Sequence, residues 1–178
     1  MPLGNVRPAR KKKSASARRK SADVKPGVKS NREVRPIATA DTWPLRLAVL
    51  RPGRPLKAAQ FPGDDLPGTV HFGAFRDGHL VGIASLFVAE LPDHPGEPAL
   101  QLRGMATAPE VRGQGFGRAL VVECLAYAQA QHMKIFWFNA RLVALGFYRK
   151  LGFKIIGDKF GIPDVGPHFR MWKRLPPA

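Results

Sequence analysis

An apolar run ending near Thr107 is joined to a helix-periodic run by Arg112-Gly113-Gln114-Gly115-Phe116-Gly117, and this turn constrains the chain more than any other segment. Glycine reaches positive φ without steric cost, so glycines at 113, 115 and 117 suit a sharp passage from strand to helix. Such a turn presents successive backbone N–H groups at the positive end of a helix dipole, which suits a pyrophosphate. On spacing alone, a tight turn that uses glycine only for steric relief is the alternative. Two familiar phosphate loops fail here. The dinucleotide fingerprint wants a small residue at Arg118 and an acid about 20 residues on, where Ile135, Phe136 and Phe138 stand. A P-loop wants Gly-Lys-Ser/Thr, which the sequence lacks.

Around this turn the pattern predicts a mixed α/β sheet. A first strand is expected over 36–40, followed by a helix capped by Thr42 with Leu45, Leu47, Ala48 and Leu50 on one face. Residues 52–69 are rich in Pro, Gly and Asp and read as loop. Strands over 71–75 and 80–90 meet across Asp77-Gly78, a hairpin signal. A strand over 100–107 precedes the glycine turn. The helix after it runs to about residue 131, with Leu120, Val121, Cys124, Leu125 and Ala128 on one face. A short apolar strand over 135–138, a helix over 142–151 closed by Gly152, and strands over 154–156 and 169–173 complete the order. The last two strands are expected to be separated by a loop through Gly161, Pro163, Gly166 and Pro167.

Charge divides the chain. Residues 1–35 hold 12 of the 29 Lys/Arg against only Asp23 and Glu33, so most of the formal +16 lies there. With few apolar residues and no sustained period, burial there cannot offset ordering entropy, and a disordered basic tail is expected. It reads as an arm in weak contact with nucleic-acid phosphates, as a targeting segment, or as a stretch upstream of a start at Val34. The folded domain is expected over 36–178. Cys124 is the only cysteine, which excludes an internal disulfide and a cysteine-based zinc site. No apolar run approaches the roughly 18–20 residues of a membrane span, and no secretory signal is seen, so a cytoplasmic protein is expected.

Arg112-x-x-Gly115-x-Gly117, preceded by Met105-Ala106-Thr107-Ala108-Pro109, resembles the acetyl-CoA signature of the GNAT-superfamily N-acetyltransferases. Asn139 and Gly146-Phe147-Tyr148-Arg149-Lys150-Leu151-Gly152-Phe153 resemble the family's second signature, in the family's order and separation. The resemblance covers roughly residues 36–175. It implies a mostly antiparallel sheet flanked by helices, and acetyl-CoA as co-substrate with no metal. Arg112, Gly113, Gln114, Gly115, Phe116 and Gly117 correspond to the pyrophosphate turn. Met105, Ala106 and Thr107 correspond to the strand that pairs with pantetheine, a Met105 amide polarising the thioester carbonyl. Asn139 corresponds to a hydrogen-bond partner of the pantetheine arm.

Tyr148 corresponds to the phenol that serves the departing thiolate as proton donor. Family chemistry is direct attack by an amine, so Cys124, on the apolar face of a helix, is core rather than nucleophile. Members often place a carboxylate near the strand before the glycine turn, whereas this strand reads Gln101-Leu102-Arg103-Gly104-Met105. His168 is then the candidate base, in a Gly161-Ile162-Pro163…Gly166-Pro167-His168-Phe169-Arg170-Met171 setting that resembles the ending of one GNAT subgroup. Glu90 and His71 rank behind it. The loop from 51 to 63 corresponds to a wall of the acceptor site, and the excess of cations over acids beyond residue 35 favours anionic or neutral acceptors over polycations. Dimers are common in the family, which makes a homodimer an expected partner state. The competing classes are an acyl-CoA-binding module without catalysis and a nucleic-acid-associated protein acting through its tail.

Overall fold

The structure, a computed structural model, describes residues 31–163 and 165–177. Seven strands form one sheet in the order β1-β2-β3-β4-β5-β7-β6. They are β1 (Arg32–Ile37), β2 (Val70–Arg76), β3 (His79–Val88), β4 (Ala99–Thr107), β5 (Ile135–Arg141), β6 (Lys154–Ile162) and β7 (Gly166–Arg174). Every neighbouring pair is antiparallel except β4 and β5. Helix α1 (Thr39–Leu45), helix α2 (Phe116–Ala130) and helix α3 (Leu145–Lys150) complete the fold. This is the mixed, mostly antiparallel sheet expected from the sequence.

Alternation along β3 separates the two faces. Ala84 and Leu86 join Leu120, Val121 and Cys124 of α2 in the main core, whereas Ser85 points the other way to Arg46 just after α1. Helix α2 buries Leu120, Val121, Cys124 and Ala128 of the face its periodicity predicts, with Leu125 half-buried at its margin and Phe116 added at its start. None of the helices among the described residues is long and apolar enough to cross a membrane.

The first strand corrects the expected boundary. It begins at Arg32 and pairs through Ile37 with Arg76–His71 of β2, so residues 31–35 belong to the fold and not to a tail. Its charged sequence disguised it. Arg35 stacks over Phe75 at 4.0 Å and Arg32 over Phe116 at 4.4 Å, so arginine faces cover aromatic rings where apolar residues usually would. Pro36 is tolerated because β1 is an edge strand. The rest of the expected tail, residues 1–30, lies outside the described residues. A chain cut just before Pro36 should lose this strand and expose the Phe75 edge of β2. Thermal unfolding should then fall by several degrees, for a loss of about 2 kcal/mol, whereas a cut before Asn31 retains the strand.

Four further elements differ from expectation. Thr42 does not cap α1. It lies inside the helix, buried, and donates to the Thr39 carbonyl at 2.6 Å, while Asp41 accepts the Ala38 N–H at 3.2 Å. Pro44 cannot donate to the preceding turn, and the chain widens into a π-turn over Arg46–Leu50, closed by Arg51 N–H to the Arg46 carbonyl at 2.9 Å. The expected helix over 142–151 is a 3₁₀ turn (Leu142–Ala144) followed by α3, with Gly152 at φ +83° ending it. The expected loop from 161 to 167 is mostly strand: Gly161 pairs with Pro167 and Ile162 with Gly166, so β6 and β7 form one long hairpin.

Candidate active site

Two irregularities open the middle of the sheet. The parallel pairing of β4 and β5 covers only Ala99↔Ile135, Leu100↔Phe136 and Gln101↔Trp137, after which the strands part. At the same level β4 bulges: Arg103 pairs with Ser85 and Ala106 with Ile83, leaving Gly104 and Met105 opposite Ala84 alone. Gly104 holds φ +60°, and a Cβ there would stand 2.9 Å from the Phe61 ring and 3.1 Å from Arg46 Nε. Only glycine fits that bend.

The fork holds two adjoining cavities. The first, about 500 Å³, runs from Met105, Ala106 and Thr107 along the glycine turn to Tyr148. The second, about 600 Å³, lies between the loop carrying Arg51 and Phe61 and the strands carrying Asn139, Arg141 and His168. Met105, Ala144 and Tyr148 line both. Both volumes suit small-molecule ligands.

Local sequence shapes the first cavity. Gly113 at φ +76° and Gly115 at φ +87° turn the chain into α2, with Gly115 as its N-cap. The first helical bond runs from Ala119 N–H to the Gly115 carbonyl at 3.0 Å, so the amides of Phe116, Gly117 and Arg118 have no partner within the helix. Arg112, Gly113, Gly115, Phe116 and Gly117 line the cavity. Gln114 does not: its side chain donates to the Glu110 carbonyl at 2.8 Å, and its own carbonyl accepts Arg32 Nη2 at 2.7 Å. Arg32 thus sits at the turn, a residue hidden from sequence reading inside the basic stretch. Free amides and nearby arginines make a donor set that fits a pyrophosphate.

At the junction, the Tyr148 hydroxyl donates to Met105 Sδ at 3.3 Å, and its ring packs 4.1 Å from that of Phe138. Burial first, and nearby Cys124 second, raise the phenol well above its usual range, so it stays protonated at neutral pH. Cys124 is buried in the core and its thiol is pushed up by burial, in keeping with core filler. On the far side, His168 lies buried with Nδ1 2.8 Å from the Gly166 carbonyl. A carbonyl only accepts, so Nδ1 carries the proton and the lone pair of the neutral ring belongs to Nε2. Asn139 lines the second cavity rather than the first.

The two lesser base candidates stand elsewhere. His71 is buried with Nδ1 on Ser85 Oγ at 2.8 Å and Nε2 on the Asp64 carbonyl at 3.0 Å, which leaves no nitrogen for a substrate. Glu90 is exposed beyond the end of β3 and lines neither cavity. His71 belongs to a buried network under the second cavity. Its centre is Arg46, fully buried, which grips Asp64 through two hydrogen bonds of 2.5 and 2.9 Å and also donates to Ser85 Oγ and the Ala59 carbonyl. Arg46 also lies 4.0 Å from the Phe61 ring, fixing the wall of the cavity. Arg103 lines the cavity with its guanidinium over Phe87 at 4.6 Å and donates to the Pro62 carbonyl at 3.2 Å.

A profile of the acetyltransferase (GNAT) family matches residues 40–153. The uncharacterized N-acetyltransferase YitI of Bacillus subtilis (strain 168) is 36% identical over 143 residues, spanning 80% of this chain and 96% of that protein. The chain belongs to the GNAT acetyltransferase family. Among solved structures, an aminoglycoside 6'-N-acetyltransferase complexed with coenzyme A superposes with a TM-score of 0.65 at 15% identity, covering 82% of this chain and 98% of that one. The ribosomal-protein-S18-alanine N-acetyltransferase of Escherichia coli gives 0.62 at 18% identity, covering 83% and 96%. At those identities the likeness is one of fold. Family membership makes acetyl transfer the general activity.

Proposed function

We propose that this GNAT protein transfers an acetyl group from acetyl-CoA to a primary amine by direct attack. The observation that carries the reading is Tyr148, at the place where the cavity of the glycine turn meets the cavity that contains His168. Acetyl-CoA supplies an activated thioester. The turn amides of Phe116 and Gly117 bind its pyrophosphate, the 105–107 segment pairs with pantetheine, and Asn139 steadies the arm from the opposite strand. The N–H of Met105, in the bulge, serves the thioester oxygen as an oxyanion donor. His168 Nε2 takes the ammonium proton, so the free amine forms the new N–C bond as the C–S bond breaks, and the second proton of that nitrogen passes to the departing thiolate. Tyr148 donates a hydrogen bond to the departing sulfur. Because burial holds the phenol above a thiol's usual range, full proton transfer to sulfur is uphill, and the tyrosine acts mainly by stabilising the thiolate.

Calorimetric titration of acetyl-CoA, followed by thiol release with a panel of amines, tests the reading. Tyr148→Phe and His168→Gln should each lower kcat by about a hundredfold while leaving acetyl-CoA affinity within about twofold. Wild-type turnover in both variants would remove these two residues from the chemistry. Failure of acetyl-CoA to bind the folded protein would remove the reaction itself.

A further inference from the structure

The second cavity is lined by Arg51, Lys57, Arg103 and Arg141, and by no Asp or Glu among the described residues. Two of these cations converge. Arg51 Nη1 and Arg141 Nη2 both donate to a single carbonyl, that of Leu50, at 3.0 and 3.3 Å. Both are half-buried, and neither is ion-paired to a carboxylate among the described residues. Burial first, then the charges of Arg141 and Arg54, hold Arg51 below the usual arginine range, as expected of a cation crowded by cations. Guanidinium groups brought together around one neutral oxygen make a ready receptor for an oxyanion, which arginine binds in bidentate fashion.

The position of the pair relative to the base sets the geometry. Arg141 is the cross-strand partner of His168. Directly opposed residues carry Cβ atoms about 5 Å apart, and both side chains line the second cavity, so a ligand held there by Arg141 lies beside His168. One small molecule spans both. We infer that the acceptor is an amine that carries its own oxyanionic group, an amino acid or a close relative, with Arg51 and Arg141 holding the anion and His168 facing the nitrogen. This rests on the acetyltransferase reading above and goes beyond it in naming the acceptor class. The same lining disfavours polyamines, aminoglycosides and lysine-rich peptides, whose positive charges would meet these arginines.

The test uses the full chain. Thiol release from acetyl-CoA is measured for α- and ω-amino acids, each beside its carboxamide and its decarboxylated amine, and for phosphoethanolamine beside ethanolamine. The acids, or the phosphate compound if phosphate is the preferred oxyanion, should exceed their neutral partners by at least about tenfold in kcat/KM. Arg51→Ala and Arg141→Ala should each erase about tenfold of that advantage, and Arg141→Glu should turn the preference toward the amine without the anion. Acetyl-CoA affinity, by calorimetry, should be unchanged in all three variants. Three results overturn the proposal while leaving acetyl transfer standing: carboxamides or polycations used as well as the acids, no oxyanion-bearing amine used although acetyl-CoA binds, or loss of acetyl-CoA affinity in the variants, which would assign the arginines to cofactor phosphates. Failure of the wild type to bind acetyl-CoA would overturn the acetyltransferase reading and this proposal with it.

Discussion

Gly115→Glu is expected to abolish acetyl-CoA binding, weakening it by more than about a hundredfold in calorimetric titration, with the protein still folded. Two effects add. The N-cap position holds φ +87°, where an L-residue costs about 1–2 kcal/mol, and a Cβ would approach Arg32 Nη1 at 3.1 Å. Arg32 is exposed and its side-chain end is movable, so the fold survives. The new carboxylate, however, stands beside the amides of Phe116, Gly117 and Arg118, where the proposed reading puts the pyrophosphate, and like charges there would cost several kcal/mol more. Full retention of affinity in the variant would separate acetyl-CoA from the glycine turn altogether.

The second large effect concerns stability. Asp64→Asn leaves the fully buried Arg46 guanidinium without its counter-charge, and breaking a buried pair from one side costs about 3–5 kcal/mol. At roughly 2–4 °C per kcal/mol for a domain of this size, Tm should fall by about 10 °C. The same pair sets an acid limit. Burial pushes the Asp64 carboxyl upward, but the Arg46 hydrogen bond, the Phe61 N–H at 2.7 Å and the charges of Arg46 and His71 outweigh it and hold the group below its usual range. A depressed folded value means the stabilisation is complete above the ordinary aspartate range and is lost as pH falls below about 4 toward the folded value. Tm measured against pH should therefore drop steeply in acid for the wild type, and less steeply for Asp64→Asn. Parallel curves for the two proteins would show that Asp64 does not set the acid limit.

What the sequence disclosed and what it concealed follow from how local each signal is. The glycine turn, the buried face of α2 and the Asp77-Gly78 hairpin are short-range patterns, and the structure shows all three. Strand β1 was hidden because its stabilising partners, Phe75 and Phe116, are remote in sequence, while its neighbours in sequence make it look like more basic tail. Arg46 stood next to an apolar stripe, yet its partner Asp64 lies 18 residues on, within a segment that reads as loop. Arg51 and Arg141 meet at the Leu50 carbonyl because the fold carries Arg141 across 91 residues of sequence to Leu50. The arginine beside the stripe was the one clue available: a charge there must either be exposed or be paired. For the loop around Gly161, glycine and proline were read as loop-forming although an edge hairpin tolerates both.

The fork divides labour along the chain. In the proposed reading the nucleotide end is cradled by β4 and the start of α2, and the acceptor is walled by the 51–62 loop, the end of β5 and the tip of the β6–β7 hairpin, with Met105, Ala144 and Tyr148 shared between the two. Variation in the 51–62 loop and the hairpin tip leaves the glycine turn untouched, so on this reading descendants of the scaffold can change clientele while keeping the same donor. The buried Arg46–Asp64 clasp sits beneath that wall, and a lineage that explores new acceptors is therefore free to alter the residues above the clasp but not the clasp itself.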